Sequence, residues 1–249
     1  MNAPVQVAPS ELFGDGVFET VHLRPDGPWL LDDHLDRLAR SAALLDLPLP
    51  SRSSLAARAA PFTADPEGAL RIICTRASQH VTAAPIAADS LRERREGIRV
   101  AGAVVGRRPP WSLAGAKTLS YAENFASRRW ARQQNADDAL WFDEDGYALE
   151  APTASLVWLD GESLCTVPSD KADILPGTTA AHLLSRAPEV GLLPAYRMVK
   201  RDQLTQADAI WLASALRGLA EVRSLDVSPR RRSPWTPRLL TLLGYPATG

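Results

Sequence analysis

The chain has 249 residues, of which 45% are hydrophobic and 23% are charged, and its formal net charge is −1. These values are typical of a globular protein with a substantial core, arranged as one large domain or two small ones. The near-neutral charge provides no basic field for nucleic acid or an anionic membrane, and no apolar run approaches the roughly 20 residues that span a bilayer. We therefore expect a protein that needs neither nucleic acid nor membrane.

The cysteines and the N-terminal segment indicate the cellular compartment in which the protein is expected. Cys74 and Cys165 are far apart, with no second cysteine or histidine at metal-ligand spacing, so neither a disulfide framework nor a metal site is predicted. Residues 1–14 lack the cationic start and apolar core of a signal peptide. These features favour a cytoplasmic location.

The first half of the chain is predicted to form a small α+β domain over residues 1–106. β-Branched and apolar stretches bounded by turn residues predict strands, which cover residues 17–23, 28–31, 69–76 and 97–105. Apolar residues at helical spacing predict one helix beginning at Asp32 and another over residues 51–60. The small, polar segment 77–88 is interpreted as a loop or hairpin tip.

A linker is predicted where Pro109 and Pro110 stop both helix and strand. Residues 107–115 would form this linker, and residues 116–249 a larger α+β domain. Its predicted strands cover residues 138–143, 147–150, 155–159, 163–167, 209–213 and 220–225. Its predicted helices cover residues 120–134, 178–187 and 237–243. Strands grouped in two halves, with helices between them, predict two α+β domains.

Lysine is rare in this chain, which has 25 arginines but only three lysines: Lys117, Lys171 and Lys200. An amine can lose its proton, attack a carbonyl and form a Schiff base, which a guanidinium cannot do. Lys117 follows a small-residue segment and precedes a helical run, whereas the other two lie among polar residues. We predict Lys117 as a nucleophile, with a solvated surface lysine as the alternative.

Three further features fit an imine-forming lysine. Glu150 ends an apolar strand, where a carboxylate is costly unless it is paired. Residues 177–179 (GTT) open a helix, whose free N–H groups suit a phosphate, and Arg37 could supply a cation. Together these groups are what pyridoxal phosphate requires. Taken singly, Glu150 also fits a solvated strand end, the GTT turn an N-cap, and Arg37 a surface arginine.

The order and spacing of these motifs resemble the fold-type IV, or class IV, pyridoxal-phosphate enzymes from about residue 13 to residue 222. The matching segments are residues 14–20 (GDGVFET), 34–38 (HLDRL), 117–121 (KTLSY), 143–150, 174–179 (ILPGTT) and 213–216 (ASAL). The resemblance implies a two-domain fold like that of D-amino-acid aminotransferase and a homodimer.

The resemblance also implies roles for individual residues toward pyridoxal 5'-phosphate. Lys117 would be the catalytic Schiff-base lysine, and Glu150 would pair with the pyridine nitrogen. Tyr121 could hydrogen-bond the phenolic oxygen, although an ordinary core tyrosine fits equally well. The phosphate would be held by Arg37, Thr178, Thr179, Ser214 and Ala215. The sequence departs from the family pattern at Ser155, where asparagine is common, and at Ala180, where arginine is common.

Within this family, several features resemble the 4-amino-4-deoxychorismate lyases of actinobacterial type. Phe18 stands where D-amino-acid aminotransferases usually have tyrosine, and residues 76–80 contain no Arg-x-His carboxylate trap. The resemblance implies elimination of pyruvate to give 4-aminobenzoate for folate synthesis. The substrate has two carboxylates, for which Arg76 and Arg107 are the candidate partners.

Two alternatives stay open at this point. A class IV aminotransferase acting on branched-chain or D-amino acids would use the same cofactor residues. A member without catalytic activity could retain the fold as a binding or scaffold protein, although the intact Lys117 and Glu150 argue against it.

Overall fold

The computed structural model describes residues 8–246, which form two compact units. Unit 1 contains residues 8–86 and 113–122, and unit 2 contains residues 87–112 and 123–246. Both units combine helices with sheet, so the predicted α+β class is confirmed.

Unit 1 is built on a four-stranded antiparallel sheet with the strand order β2-β1-β3-β4. Its elements are α1 (Pro9–Leu12), β1 (Gly16–Arg24), β2 (Gly27–Pro28), α2 (Leu31–Ala43), α3 (Arg52–Ala59), β3 (Gly68–Thr75) and β4 (Gln79–Ala84). Strand β1 alternates, and Val17 and Val21 pack in the core against Leu35 and Leu38 of α2. The apolar residues that alternate along β1 and those at helical spacing on α2 therefore share one core.

Unit 2 contains a nine-stranded sheet among the described residues. Its first elements are α4 (Ala88–Glu96), β5 (Ile98–Val104), α5 (Ala122–Gln133), β6 (Asp138–Phe142), β7 (Glu150–Ala151), β8 (Ala154–Asp160) and β9 (Ser163–Thr166). They are followed by α6 (Ser169–Ala172), α7 (Thr178–Arg186), a 3₁₀ turn (Ala187–Val190), β10 (Leu193–Tyr196), α8 (Arg201–Gln206), β11 (Ala209–Ser214), β12 (Gly218–Leu225), β13 (Ser228–Pro229) and α9 (Trp235–Leu242).

The strands of unit 2 run in the order β10-β9-β8-β11-β12-β5-β6, with β7 paired to β8 and β13 to β12. Strand β5 is parallel to both of its neighbours, whereas β8, β11 and β12 pair antiparallel. Every residue of β6 is buried, as is nearly every residue of β11. Continuous burial of this kind is typical of strands covered on both faces.

The unit boundary differs from the predicted domains 1–106 and 116–249. Residues 87–106 belong to unit 2, because β5 lies between β12 and β6 in its sheet. Residues 113–122, which include part of the predicted linker and Lys117, belong to unit 1. There Thr118 forms an antiparallel bridge to Val17 in β1. The proline pair interrupts regular structure as expected but does not divide the units.

Several elements were absent from the sequence-based prediction, among them β4, α4, β10 and α8. Helix α4 carries a mostly charged sequence (ADSLRERRE), so it shows no apolar period, and its buried residues are Glu93 and Arg94. The predicted strand 28–31 is reduced to the end of β2 at Pro28, because α2 already begins at Leu31. Among residues 8–246, no helix has the length and apolar character needed to cross a membrane.

Candidate active site

Lys117 is held by backbone contacts within unit 1. Its carbonyl accepts the N–H of Phe18 (3.0 Å), and its own N–H donates to Oγ of Ser41 on α2 (3.0 Å). Two residues on, Leu119 donates its N–H to the carbonyl of Gly16 (2.8 Å). The lysine backbone is thus fixed between the start of β1 and helix α2.

The glycines of the GDGVFET motif allow this close approach. Gly14 has a φ of +71°, and a Cβ atom there would lie 2.7 Å from Oγ of Ser120. A Cβ on Gly16 would lie 2.8 Å from both the carbonyl of Cys74 and a methyl of Leu119. Side chains at these positions would push the lysine segment away from β1, which explains the motif physically.

The side chain of Lys117 is half-buried among aromatic rings. Its Nζ donates to the hydroxyl of Tyr121 (2.9 Å) and lies 4.3 Å from the centre of the Phe18 ring. The rings of Phe18 and Tyr121 meet edge to face, 5.1 Å apart. The amine therefore has a polar partner on one side and an apolar wall on the other, unlike a solvated surface lysine.

Arg37 is fixed by a buried carboxylate on β1. Glu19 accepts from Nε and from one terminal nitrogen of Arg37, each at 2.7 Å, and lies 2.6 Å from Nδ1 of His34. Burial alone would raise the pKa of Glu19, but the charge and hydrogen bonds of Arg37, with those of His34, lower it to about 2. Glu19 is thus an anion, so Nδ1 of His34 must be the donor.

His34 lies within the electrostatic influence of two of the predicted cofactor residues. Burial lowers its pKa, contacts with Glu19 raise it, and the charges of Arg37 and Lys117 lower it further. Arg37 and Lys117 therefore present their positive charges to the same neutral imidazole. In unit 1, Lys117 is therefore bonded to Tyr121, and Lys117 and Arg37 act on the same histidine.

The two candidates for substrate binding differ from these residues in being exposed. Arg76 is exposed; its Nε donates to Asp15 (2.8 Å), and its terminal nitrogens donate to the carbonyls of Asp46 (3.0 Å) and Leu45 (2.8 Å). Arg107 is exposed in the segment after β5. Arg76 already ties two loops of unit 1 together, and a substrate role for either arginine stays a prediction.

In unit 2 the predicted residues gather around Ser155. Glu150 pairs with Ser155 between β7 and β8, and Ala213 of β11 pairs with Ser155 from the other side. A Cβ atom on Gly177 would lie 2.0 Å from Oγ of Ser155, so a side chain there would have to displace the serine hydroxyl. Ser155, at the position where the family pattern commonly has asparagine, thus joins the strand of Glu150, the start of α7 and the end of β11.

Glu150 is a buried carboxylate, 8% exposed, that accepts the N–H of Leu175 (3.3 Å). The loop between α6 and α7 is thereby connected to β7. A carboxylate held in this way fits the predicted pairing with a protonated ring nitrogen, because an ion pair would offset the cost of its burial.

The start of α7 fits a phosphate. Gly177 is the N-cap and provides no side-chain cap, so the first N–H groups of the nine-residue helix depend on other acceptors. Oγ1 of Thr179 is buried and has no hydrogen-bond partner among the described residues. An orphaned hydroxyl beside a helix N-terminus is suited to an anion, as predicted for Thr178 and Thr179. Ser214 is the last residue of β11, directly after Ala213, and Ala215 is the first residue beyond the strand.

Glu19, His34 and Ser155 were not assigned functional roles from the sequence. Glu19 could have been found, because it falls on the apolar face of β1 between Val17 and Val21, where a carboxylate needs a partner. Ser155 carried no such signal. Within residues 8–246, no group of three or more His, Cys, Asp or Glu side chains is arranged to hold a metal ion.

Comparison with known proteins identifies the family. The profile described as "Amino-transferase class IV" matches residues 16–225. A Mycobacterium tuberculosis protein named "Bifunctional aminodeoxychorismate lyase / D-amino acid transaminase" is 37% identical over 250 aligned residues, covering 90% of this chain and 85% of the relative.

Solved structures agree with this family. A hypothetical aminotransferase from Mycobacterium tuberculosis in its PLP-bound form has a TM-score of 0.89 and 33% identity, over 97% of this chain and 92% of that one. A fold IV-transaminase from Curtobacterium pusillum has a TM-score of 0.86 and 36% identity, over 98% of this chain and 92% of that one. The predicted fold type IV is confirmed, and the chain belongs to the amino-transferase class IV family of pyridoxal-phosphate-dependent enzymes.

Proposed function

We propose that this enzyme is a 4-amino-4-deoxychorismate lyase, which releases pyruvate from its substrate to give 4-aminobenzoate for folate synthesis. The observation that carries the proposal is the position of Lys117, whose Nζ lies 2.9 Å from the Tyr121 hydroxyl and against the Phe18 ring. An amine with a hydroxyl partner can hold and return a proton, and the apolar wall suits a carbocyclic substrate.

The cofactor residues predicted from the sequence are proposed to bind pyridoxal phosphate. Lys117 would hold its aldehyde carbon, Glu150 its ring nitrogen, and the start of α7 its phosphate, with Arg37 adding a cation. When bound, pyridoxal phosphate supplies an electron-withdrawing ring that stabilises negative charge at the substrate carbon bearing the amine. The orphaned hydroxyl of Thr179 and the buried carboxylate of Glu150 support these roles.

The proposed proton transfers occur at Nζ of Lys117. The amine removes the ring proton from the substrate carbon that bears nitrogen, the bond from the ring to the enolpyruvyl oxygen breaks, and the ring becomes aromatic. Lys117 then returns the proton to the methylene carbon of the departing enolate, which leaves as pyruvate. No second keto acid is consumed, which distinguishes this reaction from transamination.

A class IV aminotransferase acting on D-amino or branched-chain amino acids is the second candidate. The double name of the Mycobacterium tuberculosis relative supports it, because that name includes D-amino acid transaminase as well as the lyase. Phe18 favours the lyase, since its ring offers no hydroxyl to a substrate carboxylate. We further propose a homodimer, which sedimentation of the purified enzyme would test.

The test supplies the purified enzyme with aminodeoxychorismate made in situ by a chorismate-aminating synthase, and measures 4-aminobenzoate. The variant is Lys117→Ala, and the matched control is Lys171→Ala, which removes an exposed lysine on α6. We expect the wild type and the control to form 4-aminobenzoate with no keto acid added, and Lys117→Ala to form none. Turnover of amino-acid and keto-acid pairs alone would contradict the lyase assignment.

A further inference from the structure

We propose that Arg94 on α4 is a positioning residue for an anion-binding turn at residues 215–217, and that this turn receives the phosphate of the cofactor. The inference rests on the proposed function, because it assigns a further residue to the same cofactor site. Arg94 would not touch the phosphate; it would hold the turn that does.

The turn joins β11 to β12 in three residues, because Ser214 pairs with Gly218 across the hairpin. All three of its carbonyls accept hydrogen bonds from buried side chains. Arg94 donates from one terminal nitrogen to the carbonyl of Leu216 (2.5 Å) and from Nε to that of Arg217 (2.9 Å). The hydroxyl of Tyr245 donates to the carbonyl of Ala215.

These contacts determine where the amides of the turn point. A trans peptide places its C=O and N–H on opposite sides, so a carbonyl that points toward Arg94 directs the next residue's N–H away from it. The N–H of Leu216 therefore points away from Tyr245, and the N–H of Arg217 points away from Arg94. Because Arg94 stacks on the Tyr245 ring, both N–H groups face away from the same pair of side chains. None of the backbone hydrogen bonds found among the described residues uses either of them as a donor. Successive N–H groups of this kind form an anion-binding concavity.

The turn lies at the phosphate end of the sheet in unit 2. Ala213, two residues before it, pairs with Ser155, and Ser155 is the residue against which Gly177 packs. The turn and the N-terminus of α7 therefore flank the same serine. Two sets of N–H donors, together with the orphaned hydroxyl of Thr179, would then serve one phosphate.

Besides the carbonyls of the turn, the side chain of the turn residue Arg217 is also held in place. Glu93, next to Arg94, accepts from Nε of Arg217 (2.8 Å), and Asp138 accepts from a terminal nitrogen of the same arginine (2.9 Å). Arg94 is 4% exposed, and its guanidinium stacks on the Tyr245 ring at 4.6 Å. The planar fork of arginine can bond two neighbouring carbonyls at once, whereas the single ammonium of lysine cannot reproduce that geometry.

The experiment compares two ligands that differ only in the phosphate. Pyridoxal phosphate and pyridoxal are titrated into the apo form of the full-length protein, and each Kd is measured from the absorbance of the lysine-bound form. The variant is Arg94→Lys, and the matched control is Arg95→Lys, an exposed neighbour on the same helix. We expect Arg94→Lys to weaken pyridoxal phosphate binding by about 10- to 100-fold. Pyridoxal binding should stay within about twofold, as should both ligands in the control.

Tyr245→Phe provides a second test should Arg94→Lys fail to fold, because it removes only the hydroxyl that bonds Ala215. It is expected to lower the preference for pyridoxal phosphate over pyridoxal by about 3- to 10-fold. An equal loss of affinity for both ligands, or an unchanged preference, would show that the contacts are merely structural and would overturn the proposal. A wild type that binds pyridoxal phosphate but forms no 4-aminobenzoate would refute the proposed lyase while leaving this inference standing.

Discussion

Each unit of the molecule contains a cluster of buried charges, and the two clusters are built differently. In unit 1 a single carboxylate, Glu19, receives two bonds of 2.7 Å from Arg37 and a third contact from His34. In unit 2 two carboxylates, Glu93 and Asp138, share Arg217 at 2.8 and 2.9 Å and contact Arg128 only at 3.6 and 3.5 Å.

The difference appears in the pKa values of the acids. The pKa of Glu19 is lowered to about 2, because the Arg37 and His34 contacts outweigh its burial. The pKa of Glu93 is raised, because burial and the charge of Asp138 outweigh Arg217 and Arg128. Nε of Arg128 and one terminal nitrogen of Arg217 also have no hydrogen-bond partner within residues 8–246. Close bidentate pairing, rather than the number of charges, decides whether a buried anion is stabilised.

Glu19→Gln should be the most destabilising of the following changes. It leaves the guanidinium of Arg37 buried without its counter-charge, and breaking a buried pair of this kind costs about 3 to 5 kcal/mol. Guanidinium denaturation curves would measure the change in the free energy of unfolding. Asp33→Asn, at an exposed position on α2, is the control and should change stability by less than about 0.5 kcal/mol. Equal effects of the two substitutions would show that the Glu19 pair contributes nothing.

The pH dependence of stability should differ in sign between the two acids. The folded-state pKa of Glu19 lies below its unfolded value, so its contribution is complete above about pH 4.3 and is lost as the pH falls toward 2. That contribution amounts to about 3 kcal/mol. Glu93 has a raised folded-state pKa, so its protonation favours the folded state as the pH falls through that value.

Unfolding measured between pH 7 and pH 2 would separate these contributions. Relative to the wild type, Glu19→Gln should flatten the loss of stability on acidification, and Glu93→Gln should steepen it. The same direction of change in both variants would contradict the comparison of the two clusters.

Glu93→Gln at neutral pH should cost less than Glu19→Gln, about 1 to 3 kcal/mol. Asp138 still compensates Arg217 in this variant, and the amide oxygen can accept the Nε bond. The measurement is the same denaturation curve, run beside Glu96→Gln, an exposed acid on the same helix. A loss as large as that of Glu19→Gln would mean that the longer contacts in unit 2 are as strong as the short pair in unit 1.

Thr179→Val should have the smallest effect on the fold and a specific effect on the cofactor. The hydroxyl has no hydrogen-bond partner in the described part of the chain, so its replacement by a methyl should change stability by less than about 1 kcal/mol. The Kd for pyridoxal phosphate should rise about 5- to 10-fold, because a phosphate acceptor loses a donor. Thr241→Val, at an exposed position on α9, should leave that Kd unchanged. An unaltered affinity in Thr179→Val would remove this hydroxyl from the phosphate site.

The parts of the fold that could be predicted are those with a local pattern. Helix α2 has apolar residues at helical spacing. Strand β1 has an alternating pattern and is bounded by two glycines before it and a turn after it. Both elements were therefore predicted close to their observed bounds. Helix α4 could not be predicted, because its buried face consists of Glu93 and Arg94, whose partners lie far away in sequence at Leu216 and Arg217. The unit boundary was misplaced for a similar reason, since β5 pairs with β12 at the other end of the chain.

The candidate site likewise has features that could be predicted from the sequence and features that could not. Lys117 and Glu150 could be singled out because each is chemically unusual where it stands: one of three lysines, and an acid ending an apolar strand. The hydrogen bond from Lys117 to Tyr121 spans four residues and was within reach of sequence reasoning. The meeting of Ser155 with Gly177 and Ala213 depends on strand register and loop path, which no local pattern encodes.

The most direct measurement is to locate the cofactor on the chain. The enzyme is loaded with pyridoxal phosphate, reduced with borohydride so that the linkage becomes permanent, digested, and analysed by peptide mass spectrometry. Because there are only three lysines, the result is unambiguous. We predict that the phosphopyridoxyl group is on Lys117, with Lys171 and Lys200 unmodified. A label on either of those two lysines, or no label on any, would contradict the assignment of Lys117 as the residue that carries the chemistry.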